Sequence, residues 1–115
     1  MLATMRKIAL FTALLSAAAP VLAGASNFTL VNGTGAALSE LSIRRAGTQD
    51  WKALGTAPAA GARGSVSFSD PDCAFDIKAN VRGKAVTWAG INLCDAKSVT
   101  LNHGGSTGAW VDYDQ

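Results

Sequence analysis

Cys73-Ala74-Phe75-Asp76-Ile77-Lys78-Ala79-Asn80-Val81 alternates without a fault, with Cys73, Phe75, Ile77, Ala79 and Val81 on one side and Asp76, Lys78, Asn80 and then Arg82 on the other. A period of two is the signature of a strand with one face buried, and a slip of one position would bury four polar groups, so the register is specified as well as the element. Arg82-Gly83 follows as a two-residue turn, with glycine supplying the positive φ that a tight hairpin needs. The chain then returns through Lys84 to Leu93. Val86 and Trp88 keep one parity while Ile91 and Leu93 take the other, which places a bulge at Ala89-Gly90.

Working outward from this hairpin, apolar runs stay short and are separated by turn residues. Phe28 to Asn32 reads as a first strand, ended by Gly33-Thr34-Gly35. Leu38 to Arg45 admits a helix between Thr34 and Gly47, but the alternation Leu41-Ser42-Ile43-Arg44 favours a strand. Ala46 to Arg63 is a loop-rich stretch. Ser65 to Ser69 alternates around Val66 and Phe68, Asp70-Pro71-Asp72 breaks the chain, Lys97 to Asn102 alternates around Val99 and Leu101, and Ala109 to Tyr113 forms a last, edge strand. The expectation is an all-β fold: a small antiparallel β-sandwich, or a barrel-like variant, of about six to seven short strands.

The amino terminus follows a different logic. Arg6-Lys7 precede twelve apolar or small residues from Ile8 to Ala19, and Pro20 leads into Val21-Leu22-Ala23 and Ala23-Gly24-Ala25, the order of a secretory signal peptide. The apolar stretch is too short to span a bilayer comfortably, since about 20 residues are required. Residues 1–25 are therefore read as a cleaved leader, cut after Ala23 or Ala25, and residues 26–115 as one β domain, periplasmic or secreted and not inserted in a membrane after cleavage. Of the 115 residues, ten are basic and eight acidic; setting aside Arg6 and Lys7 leaves the domain formally neutral, which removes the compositional case for a nucleic-acid partner.

Two cysteines in an exported chain point to a disulfide, and the hairpin brings Cys73 and Cys94 together at the far ends of its two strands. In the chain-entropy account a closed loop of this length contributes roughly 3 kcal/mol. No C-x-x-C motif suggests a redox thiol.

Phe28-Thr29-Leu30-Val31-Asn32-Gly33-Thr34-Gly35, Trp51 with Leu54-Gly55, Cys73-Ala74-Phe75-Asp76-Ile77-Lys78, and Trp88 with Asn92-Leu93-Cys94 together resemble a group of small exported bacterial β proteins. That group shares an N-x-T-G strand end, a Trp-Gly loop, a C-x-x-D-hydrophobic-K strand and a W-x-x-x-N-L-C strand. The resemblance covers most of Asn27 to Leu101 and implies a β fold and a bacterial envelope location. It brings no agreed activity with it. Lys52 stands where the group commonly has glycine.

Candidate chemistry is sparse. Gly33-Thr34-Gly35-Ala36-Ala37-Leu38 begins like a phosphate loop but lacks the Gly-Lys-Ser/Thr element, so it reads as a turn. Asn27-Phe28-Thr29 and Asn32-Gly33-Thr34 have glycan-acceptor spacing and are expected to be unmodified in a bacterial periplasm. Asp70, Asp72 and Asp76, or Asp112 and Asp114, would be oxygen donors for calcium, but Asp-Pro-Asp is ordinary turn chemistry. His103 is the one histidine and lies in a glycine turn without an accompanying nucleophile motif. Trp88 is assigned to the core, whereas Trp51 and Trp110 are candidates for either packing or contact with a partner.

These readings converge on a monomeric or weakly associating, disulfide-stapled binding or accessory domain without catalytic residues, cofactor or metal. Trp51, Trp110 and His103 are its possible binding residues, toward an envelope protein or a small ligand. The alternatives are an inhibitor or immunity-type partner of another envelope protein and a small secreted hydrolase using His103.

Overall fold

The computed structural model describes residues 24–106 and 108–114; of the expected leader, residues 1–25, positions 1–23 lie outside them. Eight strands follow in chain order: β1 (Phe28–Asn32), β2 (Leu38–Arg45), β3 (Lys52–Ala53), β4 (Arg63–Val66), β5 (Ala74–Val81), β6 (Lys84–Asn92), β7 (Ser98–Gly104) and β8 (Gly108–Asp114). They form two four-stranded sheets, in the orders β4-β1-β7-β8 and β3-β2-β5-β6. Neither sheet closes into a barrel.

The β5–β6 hairpin carries the features its sequence specifies. Arg82 and Gly83 both have positive φ, 51° and 79°, as a two-residue turn with two left-handed centres requires. Phe75 faces Ile91 but Ile77 faces Trp88, so Ala89 and Gly90 together oppose Asp76 and form the bulge. Phe75, Ile77, Ala79 and Val81 are buried on the inner face, as are Val86, Trp88, Ile91 and Leu93 from β6 and its continuation. Cys73 and Cys94 are disulfide-bonded, with Cα atoms 5.0 Å apart.

The second sheet shares this core through Phe28, Leu30, Val99 and Leu101. Trp88 joins the sheets in polar as well as apolar terms: its ring is buried and its Nε1–H donates to the Asn102 carbonyl on β7 at 2.7 Å. An unpaired indole N–H would be costly there. Truncation of Trp88 to alanine would remove roughly 3–5 kcal/mol.

Four expectations need correction. The architecture is mixed and not wholly antiparallel: β1 runs parallel to β7, with Leu30 beside Val99 and Asn32 beside Leu101. Between them the chain visits the other sheet, which supplies the long crossover that parallel neighbours require. Strand number is eight, because Lys52–Ala53 in the loop-rich stretch pairs briefly with Ile43 and Ser42. The fourth strand is Arg63–Val66, earlier than the Ser65 to Ser69 alternation suggested. Phe68 has left the ladder to pack edge-on against Phe28 and Phe75, its N–H received by the Asn27 side chain at 2.7 Å. Lastly, Asp76 is buried despite its outward parity, beneath the contacts described below. Leu38–Arg45 is a strand along its whole length, bulged between Ser39 and Ser42, where Glu40 takes a φ of 51°.

Candidate functional site

On the outer face of the β2–β5–β6 sheet the side chains of Arg44, Asp76 and Lys78 stand together, since Arg44 pairs with Asp76 across the ladder and Lys78 is two residues further along β5. The Arg44 Nε lies 2.9 Å from Asp76 Oδ2, and Asp76 Oδ1 accepts the Gly90 N–H at 2.9 Å. The β6 bulge thus supplies the second donor that a buried carboxylate needs. The turn after β2 brings Trp51 back over these groups. Gly47 has a φ of 85°, and the Thr48 N–H and hydroxyl both donate to the Arg45 carbonyl. The Trp51 ring meets two cations, with the Arg44 guanidinium carbon 4.4 Å and Lys78 Nζ 4.2 Å from its centroid. This cluster is self-satisfied: a carboxylate, two cations and an indole that mostly bond one another.

The Asp70-Pro71-Asp72 turn is equally engaged. Arg45 Nε reaches both Asp70 oxygens at 3.2 Å and Asp72 Oδ2 at 3.1 Å. The Asp72 N–H donates to Asp70 Oδ1 at 2.8 Å, and this bond is the chief reason the Asp70 carboxyl is held below its ordinary range; donation from Arg45 works in the same direction. Arg45 is raised in turn, first by its hydrogen bond to Asp70 and then by the nearby carboxylate charges. Asp76 lies with Arg44 instead. Among the described residues no three His, Cys, Asp or Glu side chains gather as a cation site. Ala25, inside the stretch assigned to the leader, is buried and exchanges two backbone hydrogen bonds with Asp70, at 2.7 and 3.1 Å.

Asn32 has a structural role. Its side chain is buried, donates to the Ala36 and Pro58 carbonyls at 2.8 and 3.1 Å, and accepts from the Thr34 N–H and hydroxyl at 3.1 and 2.7 Å. Gly33 is demanded by close approach, because a Cβ there would lie 2.6 Å from Asn102 Oδ1 and 2.8 Å from Thr100 Cγ2. Asn32-Gly33-Thr34-Gly35 is therefore a strand terminator whose asparagine side chain is buried and engaged by these bonds. Its parity with Phe28 and Leu30 was the signal in the sequence that it points inward.

β8 is different in kind. It borders its sheet, and it carries Trp110 at 45% and Tyr113 at 44% exposure, the large hydrophobic side chains that remain in solvent among the described residues. Trp110 faces Asn102 across the ladder, and Asn102 Nδ2 donates to Asp112 Oδ2 at 3.0 Å. The Tyr113 hydroxyl accepts the Asn92 N–H at 3.1 Å, tying the end of β8 to β6. A hollow of about 260 Å³ opens beside it, lined by Asn92, Asp95, Ala96 and Tyr113.

The three residues singled out from sequence do not assemble. Trp51 lies on one sheet's outer face, Trp110 on the border strand of the other sheet, and His103 near the end of β7 opposite Ala109. Sequence reasoning missed Arg44 and Lys78 and weighed Asp76 only as a calcium donor beside Asp70 and Asp72, although the polar parity of Asp76 and Lys78 placed them together on one face. No protein-family model, curated protein or solved structure matches this chain.

Proposed function

We propose that the chain is an exported, non-catalytic recognition domain of the bacterial envelope, periplasmic or secreted, whose partner is another envelope protein. The leader pattern, the disulfide and the family resemblance support the location. One observation carries the binding reading: Trp110 and Tyr113 are held half-exposed on a border strand, whereas the similarly large Trp88 is buried and Trp51 is stacked on cations. Exposed tryptophan on a rigid element is a characteristic anchor of protein interfaces, and removing such an anchor costs about 2 kcal/mol or more, roughly a thirtyfold loss of affinity.

The test is affinity capture from periplasm with the wild-type chain and Trp110→Ala. A protein retained by the first and depleted about thirtyfold by the second supports the reading. Equal retention defeats it, as does a hydrolytic activity abolished by His103→Ala. Whether the captured protein is an enzyme that loses activity on binding distinguishes an inhibitor or immunity-type role from an accessory one.

A further inference from the structure

We infer that the free border of β8 takes an extended segment of the partner as a fifth strand, and that this segment carries lysine or arginine at alternate positions. The inference rests on the partner-binding reading above and specifies its mode and chemistry.

Four strands border the two sheets, and three of them offer a poor template. β3 has two residues and β4 four. β6 is broken by its bulge at Ala89-Gly90, and the Asn92 N–H at its end is already bonded to the Tyr113 hydroxyl. β8 runs seven residues in unbroken register with β7, from Gly108 opposite Gly104 to Asp114 opposite Ser98. Among the described residues no strand pairs with its outer border, which β6 approaches where Asn92 meets Tyr113. Proteins usually blunt such a border with lysine, proline or a bulge. β8, Gly108-Ala109-Trp110-Val111-Asp112-Tyr113-Asp114, has no lysine, proline or bulge, and the charges it carries are the acidic Asp112 and Asp114.

Charge selects the occupant. From Ser98 to Gln115 the sequence contains no lysine or arginine, while Asp112 and Asp114 are acidic. Trp110 and Asp112 share one parity of the strand, so an incoming residue beside either one meets an indole face or a carboxylate. Both favour a cation, the first through its ring quadrupole and the second through a cross-strand ion pair. A second copy of this chain is the wrong occupant, because β8 against β8 would bring acidic residues together. The tie from Tyr113 to Asn92 holds the strand in place before binding, which lowers the ordering cost of adding a neighbour.

The probes are three end-capped peptides of about nine residues, long enough for one strand: alternating threonine and lysine, alternating threonine and glutamate, and the lysine peptide methylated at every backbone nitrogen. Binding is read by amide shifts and hydrogen exchange on the purified chain. The lysine peptide is expected to slow exchange at alternate β8 amides about tenfold, with affinity that falls as salt rises, and the other two to leave them unchanged. Asp112→Lys should weaken the lysine peptide about tenfold and admit the glutamate one. Equal binding of the methylated peptide, equal binding of the glutamate peptide to wild type, protection on β3, β4 or β6, or no protection at a few millimolar overturns the inference. A photo-crosslinker at position 106, in the exposed turn before β8, keeps Trp110 and separates the two levels. Crosslinking to an envelope protein with β8 exchange unaltered overturns strand addition and leaves partner binding standing, whereas no crosslink and no protection removes both.

Discussion

Lys78 Nζ sits 4.2 Å from the centroid of the Trp51 ring, joining a strand residue to a loop residue 27 positions earlier in the chain. The contact turns an otherwise loose connection into a lid over a buried carboxylate, because the same ring meets Arg44 and Arg44 holds Asp76. Trp51 and the Cys73-to-Lys78 strand lie far apart in the sequence. Here they are two halves of one cluster. That gives Trp51 a structural role and leaves Trp110 as the tryptophan with an exposed face to offer.

Trp51→Ala is expected to destabilise the domain by about 1–2 kcal/mol through loss of both cation contacts. Lys78→Met keeps the aliphatic stem and removes the charge. A double-mutant cycle in urea should give a coupling of about 0.5–1 kcal/mol between positions 51 and 78. Additive effects would mean that the Lys78 charge gains nothing from the ring, leaving Arg44 as its cation partner.

Asn32 makes four hydrogen bonds from a site with no solvent. Asn32→Ala leaves two carbonyls and the Thr34 donors without that partner, at an expected cost of about 2–4 kcal/mol. Asn32→Asp cannot donate to the carbonyls and buries a charge, so it should be at least as damaging at neutral pH. Urea midpoints of the two variants check the ranking.

How far the sequence could be read depended on how local the interaction was. The β5–β6 hairpin, its bulge and the bridge between Cys73 and Cys94 were legible, since alternation, a phase change and the positions of strand ends are all properties of adjacent residues. The parallel pairing of β1 with β7 was not, because nothing in Phe28 to Asn32 records which strand will lie beside it. Burial of Asp76 was hidden for a related reason: its parity points outward, and only the β6 bulge and Arg44 of another strand enclose it. The terminal strand was placed at a border from sequence, but its freedom from blunting devices became meaningful only once the other three borders were known.

Acid should act through the Asp70-Pro71-Asp72 turn. Asp70 has a folded-state pKa below its unfolded value, so its stabilising contribution is present above the ordinary carboxylate pKa of about 4 and is lost as pH falls through the lower, folded value. Asp70→Asn should therefore be less stable than wild type near neutrality, with the gap closing as the solution is taken well below pH 4. Denaturation midpoints across that range measure it; a gap that widens on acidification contradicts the assignment.

Removal of the disulfide by Cys73→Ser with Cys94→Ser is expected to lower stability by roughly 3 kcal/mol, since the 21-residue separation closes a substantial loop. The effect should vanish when wild type is compared with the variant under full reduction, and thermal melts with and without reductant check it.

The leader expectation and the fold meet at Ala25. Both of its backbone polar groups pair with Asp70 and its side chain is buried, while a Cβ on Gly24 would collide with the Asp70 carbonyl. Cutting after Ala25 would delete that pairing and the core methyl, costing about 1–2 kcal/mol. Cutting after Ala23 retains both and leaves glycine where no side chain fits. Intact mass and terminal sequencing of the exported protein should therefore find a chain beginning at Gly24, and a recombinant chain beginning at Ser26 should unfold at lower urea. An exported chain that starts at Ser26, with undiminished stability, would show that the bridge to Asp70 is dispensable.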